Sequence, residues 1–503
     1  MPRTIAQLLV DAAARTPDRV WLRTDERKLT FAEAAGEAGG GAARLTERGI
    51  GRGDLVMLTA RNTPPYLLAW LAITAIGAIA VSVNPASTQA ELAGLSEQTS
   101  PKLVITDAEL RAHFVASGVA ILDVEELGGA RAEVPTDQAT ADDIALLIPT
   151  SGTTGRSKLV MQTHRAYTMA GEGFPFWMEL DESDRLMTSL PLFHVNAPAY
   201  SVLGSLVCGG GLVLLPRFSA SDFIDAARRH GATEFNAIGA MLEILMRQPE
   251  RPDDADNPLR RVYTGPAPDR ERHLEIEERF GLQIVCGYGM SESPFGLIWP
   301  HGTRPYGSLG TIRQHPTLGI VNEGKVVDDD ENVVAAGEIG ELLMRNPTVT
   351  PGYWGMPEAT AAAITAEGWL HTGDLVTCDE EGVYTFVSRK KEVLRRRGEN
   401  LSPAEVEEAI ASHPDVVECA VVGVPSDLSE EEIKAFVVLR EGVDFPVLRD
   451  WAAQRLSRFK VPRYWQRLDA LPRTPTQRVA KHQLPSGHPQ EEFDTESKGT
   501  SSG

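Results

Sequence analysis

The sequence predicts an α/β protein: a large N-terminal domain of several subdomains built on mostly parallel sheets, then a small α/β C-terminal domain. Three observations carry this. A chain of 503 residues exceeds what one hydrophobic core holds. From about residue 30 to 380, short apolar runs such as LVMLTA, GGLVLLP and LQIVCGYG alternate with helical patterns such as SDFIDAARRHG, the signature of βαβ units. Finally, a hairpin-like DEEGVYTFVSR and a very basic KKEVLRRRGEN precede a compact pattern of SPAEVEEAIASHPD, ECAVVGVP, KAFVVLREG and VLRDWAAQRL. The expected boundaries are 1–389, 390–485, and a polar, apolar-poor tail over 486–503 that is expected to be unstructured.

The opening MPRTIAQLLVDAAARTPDR reads as an amphipathic helix with charges throughout, not as a signal peptide. The stretch YLLAWLAITAIGAIAVSV, from Tyr66 to Val83, is nearly long enough to span a bilayer. Its Leu/Ala-rich first half and β-branched second half, divided at Gly77, predict instead a buried helix running into a buried strand. Net charge is −21, from 49 Lys and Arg against 70 Asp and Glu, which argues against nucleic acid or anionic lipid as a partner. Small anionic ligands need only a local cluster and stay open. Cys208, Cys286, Cys378 and Cys419 lie far apart without C-x-x-C or zinc spacing, as reduced thiols of a cytoplasmic protein would.

The densest chemical signal is LLIPTSGTTGRSKLV, residues 146–160. An apolar strand runs into Thr150, Ser151, Gly152, Thr153, Thr154 and Gly155, with Lys158 after it. Glycines let backbone N–H groups turn toward an anion, hydroxyls add donors, and the lysine supplies charge. The spacing is not that of the NTPase P-loop.

This run resembles the phosphate loop of the adenylate-forming superfamily, which includes acyl-CoA synthetases, carrier-protein adenylation domains and luciferases. Further stretches follow in that family's order: Gly287-Tyr288-Gly289-Met290-Ser291-Glu292, Gly337-Glu338-Ile339-Gly340-Glu341, Gly352-Tyr353-Trp354, Trp369 to Asp374, Ser388-Arg389-Lys390-Lys391, and Gly398-Glu399-Asn400 with Pro403-Ala404-Glu405. The resemblance covers residues 5 to 484. It implies the adenylate-forming fold with a mobile C-terminal domain, and a two-step reaction. ATP and a carboxylic acid give an acyl-adenylate and pyrophosphate, and a thiol then displaces AMP. Between the steps the small domain rotates about a hinge at Lys391.

Residue by residue, the resemblance implies the following. Asp374 accepts the ribose hydroxyls with Arg389 in support. Tyr288 stacks on adenine, with Gly265, Pro266, Ala267 and Pro268 along its edge. Thr150 to Gly155, Lys158, Gly289 and Ser291 serve the nucleotide, Thr153 and Ser291 touching phosphate oxygens. Glu292 holds Mg²⁺, an ion that prefers oxygen ligands. His194, in PLFHVNA, lies near the acyl carboxylate, and Gly287, Gly289 and Pro294 line the acid pocket. Gly398 and Glu399, with the run from Arg395 to Arg397, guide CoA. His194, Glu292 and Arg478 form the catalytic set.

Two departures from the family pattern fall on parts that handle pyrophosphate and adenylation. Where Pro-Lys-Gly is usual the chain has Ser157-Lys158-Leu159, and a Leu without glycine's freedom in φ is expected to alter that loop. In the terminal loop the usual Gly-Lys is Gln477-Arg478. An Arg fork does not substitute for a compact ammonium at a tight site. Ser388 replaces a glycine before Arg389, a milder change. The expectation is an acyl-CoA ligase impaired in adenylation that makes the thioester from a preformed acyl-AMP, with a separate adenylating enzyme as partner. The rivals are a complete ATP-dependent acyl-CoA synthetase, with Arg478 sufficing or Lys481 reaching in, and a non-catalytic acyl-adenylate-binding protein. The identity of the acid is not readable, and Arg- and Ala-rich usage associates with GC-rich bacteria and secondary metabolism.

Overall fold

The computed structural model describes residues 2–114, 118–150, 157–265, 267–390, 394–396, 399–425, 431–440, 442–456, 460–474, 479–485 and 492–495. The chain divides into two compact units that interleave along the sequence. The first comprises residues 1–325, 343–371 and 379–385, the second residues 326–342, 372–378 and 386–503.

Two large sheets build the first unit. A six-stranded sheet runs in the order Ala120–Asp123, Leu103–Thr106, Leu55–Thr59, Ile79–Ser82, Ile144–Thr150 and Lys158–Thr163. All its pairings are parallel except the last, where Ile144–Thr150 and Lys158–Thr163 form a hairpin. A nine-stranded sheet is parallel through its middle, from Val20–Arg23 to Gln283–Met290, and antiparallel at both ends. Burial on both faces explains the near-continuous apolar strands, such as Leu55–Thr59 and Ile79–Ser82, which have no exposed position.

The expected first helix is Ile5–Arg15, started by Thr4 and Gln7 in a reciprocal capping box. The apolar stretch after Tyr66 is the buried helix Pro64–Ala75 and the buried strand Ile79–Ser82. Gly77 turns the chain between them at φ 70°. Among the described residues no helix is long and apolar enough to cross a membrane.

In the second unit the helix Pro403–Ala411 packs beside a sheet of Val416–Pro425, Glu431–Leu439, Tyr464–Arg467 and Phe493–Asp494. Within the segment 486–503, residues 492–495 are described, and Phe493–Asp494 form the last strand. Phe493 pairs with Trp465 and packs near Phe445, while Asp494 takes a two-pronged ion pair from Arg463. Glu492 meets the fully buried Lys434. At this short strand one aromatic and two acids each find a partner at the sheet edge, a pairing that polar composition does not show.

Candidate active site

The hairpin carrying the dense motif closes with Thr150 opposite Lys158, the Thr150 hydroxyl donating to the Lys158 carbonyl at 3.2 Å. Ser151 to Gly155, which hold most of the predicted phosphate donors, lie outside the described residues. Leu159 stands in the regular strand opposite Pro149 and is fully buried in an apolar cluster with Val81, Leu92 and Leu147. Its φ is not positive. The expected disturbance by this Leu is therefore absent from the backbone at position 159, because the position is extended and its side chain is absorbed by the core.

The free edge of the same strand is taken by residues 352–354. Met161 donates to the Gly352 carbonyl at 3.0 Å, and Trp354 to the Leu159 carbonyl at 2.9 Å. Gly352 has φ 139°, and any Cβ there would run into the Thr360 side chain, so glycine is required. One turn upstream, Thr350 ties two motifs together. Its N–H donates to the Glu292 carbonyl at 2.7 Å and its hydroxyl to the Met161 carbonyl at 2.6 Å.

These ties bring the side chains of Lys158, Tyr353 and Glu292 together. The Lys158 ammonium lies 4.3 Å from the centroid of the Tyr353 ring. The Tyr353 hydroxyl donates to Glu292 Oε1 at 3.0 Å. Burial, with Glu292 beside it, pushes the Tyr353 phenol up from its ordinary value and keeps it a donor. Gln162, fully buried on the hairpin, donates to the Ser291 carbonyl at 2.5 Å. Sequence reading placed Lys158, Ser291 and Glu292 but missed Tyr353 and Gln162 as their supports. The Gly-Tyr-Trp motif was the available signal for the first.

Tyr288 lies on the strand Gln283–Met290 opposite Leu297, just before an irregularity in the ladder. Its partly buried ring sits over Gly296, where a Cβ would collide with the Tyr288 backbone. Behind it, Gly265 packs so closely that a Cβ would come 2.6 Å from the Gly287 carbonyl oxygen. Ala267 and Pro268 are half-buried and lead into the helix Arg270–Phe280, capped by Asp269. Gly289 is exposed, whereas Gly287 and Pro294 are buried. His194 follows the strand Arg185–Thr188 through a loop that Asn62 holds at two points. Asn62 donates to the Leu190 carbonyl at 2.8 Å and accepts from the Leu192 N–H at 2.9 Å. Directly after it, Ala197–Val202 forms a π-helical turn, a local irregularity frequent at functional sites. Nothing in the sequence pointed to Asn62.

In the second unit, Asp374 is buried on the strand Leu370–Cys378, and its Oδ1 lies 2.6 Å from Nε of Arg389. Arg389 ends the strand Tyr384–Arg389, and its side chain is 41% exposed. The turn before Asp374 is held by Thr372, which donates to the Leu342 carbonyl at 2.7 Å, and by Glu341, which accepts from the Gly373 N–H at 3.0 Å. Lys390 bridges Glu341 and Asp329 at 3.1 and 3.0 Å. Of the basic run, Arg396 is buried and paired with Glu432 at 2.6 Å, so it is committed to the domain interior. Lys481 pairs with Glu407 at 2.9 Å. The terminal loop is anchored at both ends, Arg473 bridging Val479 and Ala480 donating to the Pro472 carbonyl at 2.7 Å. Lys391, Arg397, Gly398 and Arg478, with the side chains of Arg395 and Glu399, lie outside the described residues, as do Pro266 and Gln477.

A family model described as AMP-binding enzyme matches residues 9–354, and one described as AMP-binding enzyme C-terminal domain matches residues 405–478. A crotonobetaine/carnitine–CoA ligase of Salmonella typhimurium is 31% identical over 488 residues, covering 91% of this chain and 93% of its own. The o-succinylbenzoate CoA synthetase MenE of Bacillus subtilis, solved with its acyl-adenylate intermediate, superposes with TM-score 0.86 at 28% identity, over 96% of this chain and 98% of its own. ATP-bound MatB of Rhodopseudomonas palustris gives TM-score 0.86 at 27% identity, over 95% and 97%. The chain belongs to the AMP-binding enzyme family, in the acyl-CoA ligase branch of the adenylate-forming superfamily.

Proposed function

We propose that this ligase joins a carboxylic acid to CoA through an acyl-adenylate, and that adenylation is its slow half. The observation that carries the second part is Gln477-Arg478 in the terminal loop, where the family places a glycine and a lysine. A lysine there would hold the acid's carboxylate and the α-phosphate together as a point charge. Arg brings a wider planar head, and Gln fills space that a glycine leaves free. Losing one such positioned donor costs on the order of 10²–10³ in rate.

The chemistry divides among the residues as follows. Glu292 would hold Mg²⁺. A single carboxylate suits that ion, which keeps several waters and takes its remaining ligands from substrate phosphates, and the described residues offer no larger cluster. The ion would neutralise charge on the phosphates. Lys158 adds a second cation, oriented by Tyr353. Asp374 would grip the ribose hydroxyls in both steps, with Arg389 compensating its charge. His194 would orient the acyl carboxylate, and Gly287, Gly289 and Pro294 would line the acid's pocket. Arg395, Arg397, Gly398 and Glu399 are assigned to CoA. Domain rotation about Lys391 would swing the terminal loop away before thioester formation, so the loop's weakness spares that step. A separate adenylating enzyme would then supply acyl-AMP.

A second reading is a complete ATP-dependent synthetase. It is favoured by the Lys158–Tyr353–Glu292 arrangement and by the regular strand pairing at Leu159. Recruiting Lys481 in place of Arg478 is disfavoured, since it would break the pair with Glu407. A paired assay separates the two. ATP–pyrophosphate exchange is measured beside thioester formation from synthetic acyl-AMP. Slow exchange with fast thioester formation supports the first reading. Brisk exchange at saturating acid overturns it.

A further inference from the structure

Arg313 is 1% exposed, and among the described residues no carboxylate pairs with it. Its guanidinium lies 4.4 Å from the centroid of the Trp177 ring and 5.6 Å from those of Tyr200 and Tyr263. One terminal nitrogen, Nη2, donates to the Tyr263 hydroxyl at 2.8 Å and the Leu297 carbonyl at 2.7 Å. The other reaches the Tyr200 hydroxyl at a weak 3.4 Å. Nε has no acceptor. Both side-chain partners are hydroxyls rather than carboxylates, and Tyr200 donates its hydroxyl to the Pro294 carbonyl at 2.5 Å.

A buried charge is ordinarily matched by an opposite one, because desolvation is costly and a guanidinium does not escape by losing its proton. The aromatic box offsets part of that cost through its ring faces. It leaves the net charge and the Nε donor unanswered.

The location gives this charge a use. A Cβ on Gly287 would fall 2.8 Å from both Arg313 Nη2 and the Tyr263 hydroxyl, and one on Gly289 would fall 2.8 Å from the Tyr200 hydroxyl. Gly289 is exposed, and the hydroxyl of the buried Tyr200 touches both the Gly289 position and the guanidinium.

We propose that Arg313, acting through Tyr200 and Tyr263, makes the inner wall of the acyl pocket electropositive and selects acids whose far end carries a second carboxylate. This rests on the assignment of Gly287 and Gly289 to the acid pocket. Arg313 is a positioning residue for specificity; the substrate would touch Tyr200. A carboxylate held roughly 6 Å from the guanidinium would, at an effective dielectric constant of about 20, gain a preference of about 100-fold. An acid ending in a quaternary ammonium would be disfavoured by the same field.

The test measures binding of non-hydrolysable acyl-sulfamoyl adenosines in length-matched pairs: glutaryl, adipoyl and suberoyl against pentanoyl, hexanoyl and octanoyl. At least one dicarboxylic member is expected to bind about 30- to 100-fold more tightly than its partner. Arg313→Met should bring that ratio within about threefold, and Arg313→Lys should retain part of it. Arg313→Gln, which also removes the charge while keeping polar donors, provides the same readout if Arg313→Met does not fold. Equal or weaker binding of every dicarboxylic member, or a preference that survives both substitutions, overturns the proposal. So does failure of all the analogues to bind while AMP binds, and that result also removes the acid-pocket assignment. The analogues bypass adenylation, so the result is independent of whether pyrophosphate exchange is slow or brisk.

Discussion

The ammonium of Lys158 stands 4.3 Å from the ring centroid of Tyr353, whose hydroxyl in turn holds Glu292 at 3.0 Å. A single aromatic side chain thus orients both the cation assigned to phosphate and the carboxylate assigned to Mg²⁺. Tyr353→Phe removes only the hydrogen bond, and a bond to a charged acceptor is worth about 1.5–3 kcal/mol. Pyrophosphate exchange should fall about tenfold or more, and Tyr353→Leu, which also removes the ring face, should fall further. Thioester formation from supplied acyl-AMP should change little in either variant. Equal effects on both half-reactions would place Tyr353 in general support of the fold.

Asp374→Ala should weaken binding of AMP and of acyl-AMP analogues alike. The change leaves Arg389 without its carboxylate, and each unpaired ribose hydroxyl costs about 1–3 kcal/mol. Isothermal titration should show a loss of tenfold or more for each ligand. Unchanged affinity would remove Asp374 from the ribose site.

If Gln477 and Arg478 are what slows adenylation, Gln477→Gly with Arg478→Lys should raise pyrophosphate exchange on the order of 10²-fold. No change at Leu159 should be needed, because that residue is a core position in a regular strand. Thioester synthesis from acyl-AMP is the internal control and should hold steady.

Glu234 is fully buried with neither carboxyl oxygen hydrogen-bonded, and burial, with Asp184 nearby, pushes its carboxyl well above the usual range. The unfolded chain ionises there near pH 4.5 while the folded chain does not. This group therefore contributes stability below that pH and loses it as pH rises toward the folded value. Glu234→Gln should stabilise the protein at pH 8 and make little difference at pH 4, as read by denaturant unfolding.

His164 works in the opposite direction. It is buried, accepts the Ile5 N–H through Nδ1 at 3.3 Å, and burial pulls its imidazole down from 6.5 to about 4. The unfolded chain binds the extra proton first, so stability is full above about pH 6.5 and is lost as pH falls toward 4, by on the order of 3 kcal/mol. His164→Gln, which keeps an acceptor for Ile5, should flatten stability across that window. A slope unchanged by the substitution would assign it to other groups.

What the sequence determined by itself was local and periodic. Apolar runs spaced by helical patterns specified βαβ units, and Gly77 divided the buried helix from the buried strand because a left-handed turn there needs no Cβ. Motif order nominated Lys158, Tyr288, Glu292, Asp374 and Arg389, since the chemistry proposed for them is carried by residue type. Tertiary structure alone decided the rest. It put Leu159 into a core cluster, drew Arg396 inward to Glu432, gave the polar tail a strand at Phe493–Asp494, and enclosed Arg313 among aromatics. Each of these depends on partners brought from tens or hundreds of residues away. Whether a Leu, an Arg or a polar segment faces solvent is set by what the opposite strand offers it, a quantity that no local window contains.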